Sequence, residues 1–342
     1  IHDSSNLIEL EQCVCLLQAA YNHQPLYDYL IFHTENITQE QQLRVNSIVH
    51  PANVTWAQDT QPLQDVLAGL PPATLDTLFR RCNQPGASGI NTTQELTWRH
   101  RCTDGRFNMP LAYNWMAEFR SKWIWRRPEL ADYKYMLWFD TDSFATMAWR
   151  EDPIEYMVQN KMALLMGDYG LHSTPVASGV KYRIRNAYNT TICKVSINDT
   201  RFTTILDSNI TSPCLEFGNV EHVHGFFHIT DLDFYRLPVN RLWADEVIGH
   251  GGIYQRIWDD QLAVVVPPAV LAPHRMATLD QIGVCPLLLH NLQVMDHHEA
   301  RAFTTGYRGF KAYWRIHGEE YFPEGYGKCK DYVQIGHRRR RS

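Results

Sequence analysis

With 342 residues, 44% of them hydrophobic and 20% charged, the chain has the composition of a soluble globular protein and is long enough to bury a sizeable core. A net charge of −5 supplies no overall basic field for nucleic acid, and the one dense basic run, His337 and the four arginines after it, reads as a solvated tail. No stretch reaches the ~18 consecutive apolar residues of a membrane span, and the most apolar one, Leu262 to Ala272, is interrupted by Pro267 and Pro268.

In chain order, residues 6 to 21 carry apolar side chains at helical spacing, Tyr29 to His33 reads as a strand, Thr38 to Val45 as a helix and Ser47 to Trp56 as the next strand. This βαβ alternation predicts an α/β fold with a mixed, mostly parallel sheet flanked by helices. Residues 83 to 106, rich in Asn, Gly, Thr and Gln, read as a loop. Helical spacing returns from Met109 to Trp125 through Leu111, Trp115, Met116, Phe119 and Trp123, and leads into an apolar strand that ends at Asp140. A helix over Ile154 to Asn160 and a strand over Ala163 to Met166 make a further unit. Residues 171 to 218, with alternating polarity typical of hairpins, read as an insertion. Regular structure resumes at His222 to Ile229, and the aromatic, glycine-rich segment from Phe303 to Tyr332 reads as a wrap around the core. No repeat or linker divides the chain.

Six Asn-x-Ser/Thr sequons, at Asn36, Asn53, Asn91, Asn189, Asn198 and Asn209, and eight cysteines without CxxC or zinc-like spacing point to an oxidising, glycosylating compartment, a secretory or Golgi lumen. The chain opens on Ile1 rather than Met, which leaves room for an upstream signal or anchor. Eight cysteines allow 105 pairings. Short loops favour Cys82 with Cys102 and Cys193 with Cys214, and Cys285 with Cys329 follows by elimination. Cys13 and Cys15, two apart on a helix, face different directions and are expected to be buried thiols or to reach distant partners.

The chemistry concentrates where Met136, Leu137, Trp138 and Phe139 give way to Asp140 and Asp142. Ligands of α/β proteins bind beyond the carboxyl ends of such strands. Two carboxylates there repel one another unless a cation lies between them, and a hard divalent ion bridging them to a diphosphate resolves the conflict. The alternative is a solvated turn. Trp138 and Tyr169 are candidates to wall the pocket, with core packing the alternative for Trp138. Asp260 stands at an expected helix start, where it either caps the backbone or orients a ligand. His222, His224 and His228 form a His-x-His-x3-His run that on one strand would share a face and could hold zinc. GxSxG, Walker A and strand-borne GxGxxG signatures are absent, which removes the usual evidence for a serine hydrolase, a P-loop enzyme or a dinucleotide-binding fold.

Several segments, in order over roughly residues 5 to 290, resemble glycosyltransferase family 15, the fungal-type Golgi α-1,2-mannosyltransferases. They are residues 7 to 57, the Tyr113-x-x-Met116-x-x-Phe119 helix with its strand to Asp140, the stretch 222 to 236, the stretch 251 to 261, and Ile282-Gly283-Val284. The resemblance implies a GT-A fold, a GDP-mannose donor, a manganese ion, a glycan or glycoprotein acceptor, retention of anomeric configuration, and membrane attachment of the type II kind through an N-terminal anchor. On that pattern the chain is one catalytic domain, with a nucleotide-sugar half over 1–170, the insertion over 171–218, an acceptor and catalytic half over 219–300, and a C-terminal wrap and basic tail over 301–342.

By position, Asp140 and Asp142 take the places of the family's acidic motif. A metal-binding histidine after Ile282-Gly283-Val284 is His290, with His274 the alternative. Tyr169 belongs with the donor contacts, and His228 and Asp260 with the catalytic ones. His228 replaces the family's glutamate, a candidate nucleophile, and Arg256 stands near another glutamate that is not kept. A neutral imidazole accepts a proton from an acceptor hydroxyl rather than attacking the sugar. That leaves retention open, together with a second reading: a secreted glycan-binding protein on a decayed transferase fold, or a transferase using another nucleotide sugar.

Overall fold

The computed structural model describes residues 6–34, 36–59, 62–85, 89, 91, 95–103, 108–141, 143–145, 148–149, 151–166, 169–171, 180–198, 201–207, 221–223, 227–249, 252–256, 260–278, 288–290, 293–294 and 327–329. The chain forms two units, one of Ile1–Thr60, Trp138–Tyr156 and Leu279–Ser342, the other of Gln61–Leu137 and Met157–Thr278.

In the first unit, the helix Asn6–Leu17 places Leu7, Leu10 and Val14 at helical spacing, and this stripe packs with Ile31, Val45 and Val49 into one apolar cluster. A π-helical turn, Gln18–Asn22, ends it. There the Asn22 amide donates to the Tyr27 carbonyl and accepts from the Tyr27 N–H, both at 2.8 Å, which holds the turn that feeds the strand Tyr29–His33. The crossover helix Gln39–Val49 starts in a capping box: Thr38 Oγ1 accepts from the Gln41 N–H while the Gln41 side chain accepts from the Thr38 N–H. The chain then returns as the strand Val54–Gln58, parallel to the first with Tyr29 opposite Val54.

The strand expected from Ser47 thus begins only at Val54. Ile48 and Val49 are β-branched, yet Val45 and Val49 lie four apart and are fully buried on the same helical face. Burying two valines, at about 1.5–3 kcal/mol each, outweighs a β preference that spans only ~1 kcal/mol.

In the second unit a four-stranded sheet runs in the order Met276–Thr278, Leu164–Met166, Phe227–Asp231, Tyr135–Phe139. Leu164–Met166 is parallel to Met276–Thr278 and antiparallel to Phe227–Asp231, so the sheet is mixed. All three of its side chains are fully buried, which accounts for an unbroken apolar run in the sequence. The apolar stretch at 262 to 272 belongs to a twelve-residue helix, Asp260–Leu271, buried along nearly its whole length. Twelve residues span roughly 18 Å, well short of a ~30 Å bilayer core. Among the described residues no helix is long and apolar enough to cross a membrane. Within the expected insertion, the helix Val180–Tyr188 precedes an antiparallel hairpin of Thr191–Asn198 and Arg201–Asp207, in keeping with the alternating polarity there.

Cys82 and Cys102 are joined, as loop length predicts, tying the helix Pro72–Cys82 to the strand Arg101–Thr103. Cys329 pairs with Cys15 and not with Cys285, so the assignment by elimination is corrected. The Cys15–Cys329 bond spans a sequence separation of 314, and that closure depends on the folded chain rather than on any local spacing. Cys13 keeps a buried thiol. The pairing of Cys193 with Cys214 lies outside the described residues, as does the segment 303 to 326.

Candidate functional site

The apolar strand Tyr135–Phe139, whose last two residues belong to the first unit, stops at Asp140, whose carbonyl accepts the Ser143 N–H at 2.9 Å. This i to i+3 bond closes a turn that opens at Asp140. The same carbonyl accepts a weaker bond, 3.6 Å, from the Cys13 thiol on the first helix. The Asp140 carboxylate is addressed separately: the Trp138 indole Nε1–H donates to Oδ1 at 2.6 Å. A charge-assisted bond of that length fixes the carboxylate's rotation.

Beyond the turn, the strand Ser143–Ala145 pairs antiparallel with Leu288–His290, and the register sets His290 opposite Ser143. Opposed residues of an antiparallel pair have Cα atoms about 4.5–5.5 Å apart. The backbone therefore brings His290 next to the turn of the acidic motif, although Asp140 and His290 are 150 positions apart in sequence. Asp142 and the side chain of His290 lie outside the described residues, and among those described no group of three His, Cys, Asp or Glu side chains is placed to hold a metal. The donor set itself, two carboxylates and an imidazole, is the oxygen-and-nitrogen chemistry that suits manganese, so the residues present fit such an ion. His274, the alternative histidine, is exposed on the short helix Pro273–Arg275 of the second unit.

The second unit gathers the other two candidates around a residue that the sequence reading passed over. The helix Leu111–Glu118 runs into a π-helical turn, Phe119–Trp123, and such turns are frequent at functional sites. Arg120 on this turn is 3% exposed, and its Nη2 lies 2.9 Å from Oδ2 of Asp260, itself 2% exposed on the first turn of the helix Asp260–Leu271. His228, 1% exposed on the strand Phe227–Asp231, has its pKa held well below the ordinary 6.5 by burial and by the Arg120 guanidinium. Its imidazole is therefore neutral at pH 7.

Glu118, one turn back from Lys122, accepts from the Tyr254 hydroxyl at 2.8 Å and from the Trp123 indole at 3.2 Å. The Asn114 amide donates to the Ile253 carbonyl at 2.7 Å, and the Arg81 guanidinium donates to that of Tyr254. The bonds to residues 253 and 254 fasten the helix Gly252–Arg256, part of the 251 to 261 stretch, onto the Leu111–Glu118 helix and, through Arg81, onto the helix Pro72–Cys82. Arg120 and Glu118 did leave a trace in the sequence, as two opposite charges inside a segment whose other residues are mainly apolar. The helical stripe read through Phe119 and Trp123 drew attention from them.

The histidine run is divided. His222 lies on the strand Glu221–Val223, paired with Tyr169–Leu171, while His228 lies on Phe227–Asp231 in the four-stranded sheet. A single strand presenting three histidines on one face is thus corrected: the chain leaves one sheet and enters another within four residues. His224 and the Tyr169 ring lie outside the described residues and side chains.

Solved structures resemble this chain in fold. Core-mannan synthase A from Aspergillus fumigatus, in a Mn/GDP form, superposes with a TM-score of 0.60 at 16% identity, covering 92% of this chain and 82% of that one. The mannosyltransferase Ktr4p from S. cerevisiae in complex with GDP gives 0.64 at 15% identity over 96% and 82%. A further structure of that yeast enzyme gives 0.61 at 15% over 94% and 80%. The chain shares the mixed α/β fold of these structures. No protein-family model and no curated protein sequence matches it. At this identity the likeness resides in architecture, and within that fold the Asp140 turn and the buried Arg120 cluster carry the candidate residues whose side chains are described.

Proposed function

We propose that the chain is a metal-dependent glycosyltransferase, akin to the family 15 mannosyltransferases, that transfers a hexose, mannose from GDP-mannose in the first instance, to a glycan or glycoprotein hydroxyl in a Golgi or other secretory lumen. The observation that carries this reading is the register setting His290 opposite Ser143, one residue past the Asp140-x-Asp142 motif. It is supported by the fold shared with mannosyltransferases solved with GDP and manganese. Asp140, Asp142 and His290 would hold the manganese ion, which when bound neutralises charge on the leaving diphosphate. The Trp138 indole orients the Asp140 carboxylate, and the Cys13 thiol and Ser143 N–H hold its backbone.

Toward the transferred sugar the reading assigns His228 and Asp260. Arg120 pairs with Asp260 and disfavours a proton on His228, so the cluster offers a carboxyl group fixed in place and a neutral imidazole that can accept a hydrogen bond. The four sequon asparagines with described side chains, Asn36, Asn53, Asn91 and Asn189, are all exposed, which supports a luminal, glycosylated protein.

The buried, neutral His228 in place of a carboxylate also favours a second reading, a glycan-binding protein that has lost turnover. Hydrolysis or transfer measured with manganese across a panel of nucleotide sugars separates the two. Turnover of one donor, lost in Asp142→Ala, is the expected result. No turnover of any donor with glycan binding retained overturns the enzyme reading.

A further inference from the structure

We infer that Trp138 is a positioning residue for the metal, acting through Asp140, and that an ion bound at the acidic motif sits beside its indole N–H. This rests on the manganese site proposed above. The backbone of the turn is already held, because the Asp140 carbonyl accepts both the Ser143 N–H and the Cys13 thiol. What remains to be set is the rotation of the carboxylate about its side-chain bonds, and the 2.6 Å bond from Trp138 Nε1 to Oδ1 sets it. Indole is a donor only, so it cannot compete for the cation and serves solely to aim the carboxylate. Partners of this kind hold a metal-binding group in its productive orientation before the ion arrives.

The strand supplies the geometry. Trp138 and Asp140 are two apart at its end, so their side chains leave the backbone on the same side and meet directly. An ion held on that carboxylate through a bond of about 2.1 Å lies within about 5 Å of the indole proton.

The test uses the whole protein with 15N-labelled tryptophan, titrated with Mn2+ while free Mn2+ is followed by electron paramagnetic resonance. Of the ten tryptophans in the chain, one indole N–H signal should vanish at substoichiometric Mn2+, and that signal should be missing from the spectrum of Trp138→Phe. The variant should bind Mn2+ about 10–100-fold more weakly at unchanged melting temperature. If the wild type binds Mn2+ while all ten indole signals persist, the ion lies away from Asp140 and the metal reading fails at this site; if the signal vanishes but Trp138→Phe binds within twofold of wild type, the positioning role is overturned and the metal site stands. If the wild type binds no Mn2+, the metal reading itself fails and this inference with it. Should Trp138→Phe not fold, Trp138→Tyr provides the assignment, and the persistence or loss of the wild-type signal decides.

Discussion

Replacing Asp260 by Asn tests the buried cluster without creating a cavity, because the two side chains are isosteric. In the native protein Arg120 and Asp260 each have side chains 3% exposed and lie 2.9 Å apart. The substitution leaves a guanidinium in the interior with its counter-charge removed, and losses of this kind amount to about 3–5 kcal/mol. Replacing both partners by apolar residues of similar size, Arg120→Met with Asp260→Leu, removes the charge as well as its partner and should recover most of that loss. Urea denaturation at pH 7, followed by tryptophan emission, measures Asp260→Asn and the four members of the Arg120→Met, Asp260→Leu cycle: Trp123 ends the Arg120 turn and Trp125 follows it, so both report on its opening. The expected result is a single-variant loss of at least 3 kcal/mol and a double variant well short of the sum of its singles. A loss under about 1 kcal/mol for Asp260→Asn, the range of an exposed pair, would refute the claim that this ion pair is dry, as would strict additivity.

His228 provides a pH signature. Its folded pKa is depressed below the ordinary 6.5, so below that pH the unfolded chain takes up a proton that the folded protein refuses. The contribution is complete above pH 6.5 and is lost as the pH falls toward the folded value. The stability of the wild type relative to His228→Gln should therefore fall, by at most about 1.4 kcal/mol, between pH 7.5 and 5.5 in urea titrations, and a constant difference would show that the imidazole titrates freely. The two disulfides should differ in weight. Closing the sequence separation of 314 between Cys15 and Cys329 removes about 6 kcal/mol of unfolded-chain entropy, against about 3 kcal/mol for the separation of 20 between Cys82 and Cys102. Under non-reducing conditions the Cys15→Ala, Cys329→Ala double variant should lose clearly more stability than the Cys82→Ala, Cys102→Ala one. Equal losses would mean that the unfolded chain is already compact.

Much of the local structure was open to reading from the residues alone. Tyr29 to His33 declares itself as a strand through its apolar composition, Thr38 to Val45 as a helix, and the apolar run into Asp140 as a strand, although that strand stands at the end of the sheet order with only Met136 of its five residues buried rather than at a buried centre. The Cys82–Cys102 bond follows from a short loop, and the hairpin from alternating polarity. Each of these signals is written within one element or one turn, where periodicity, capping and short loop closure act. Ser47 to Trp56 marks the limit of that reading, because its first residues take the conformation that buries Val49, which depends on what Val45 and the first helix present to it.

Everything that required two distant segments to meet was decided by the tertiary structure. Cys15 found Cys329 rather than a nearer partner, Arg120 found Asp260 across 140 residues, and His290 came to lie across a ladder from Ser143. His222 and His228, six residues apart, were sent to different sheets by the strands available to pair with each. The physical reason is common to all four. Pairing across the sheet and burial of charge depend on which surfaces the assembled elements leave facing each other, and no spacing along the chain encodes that.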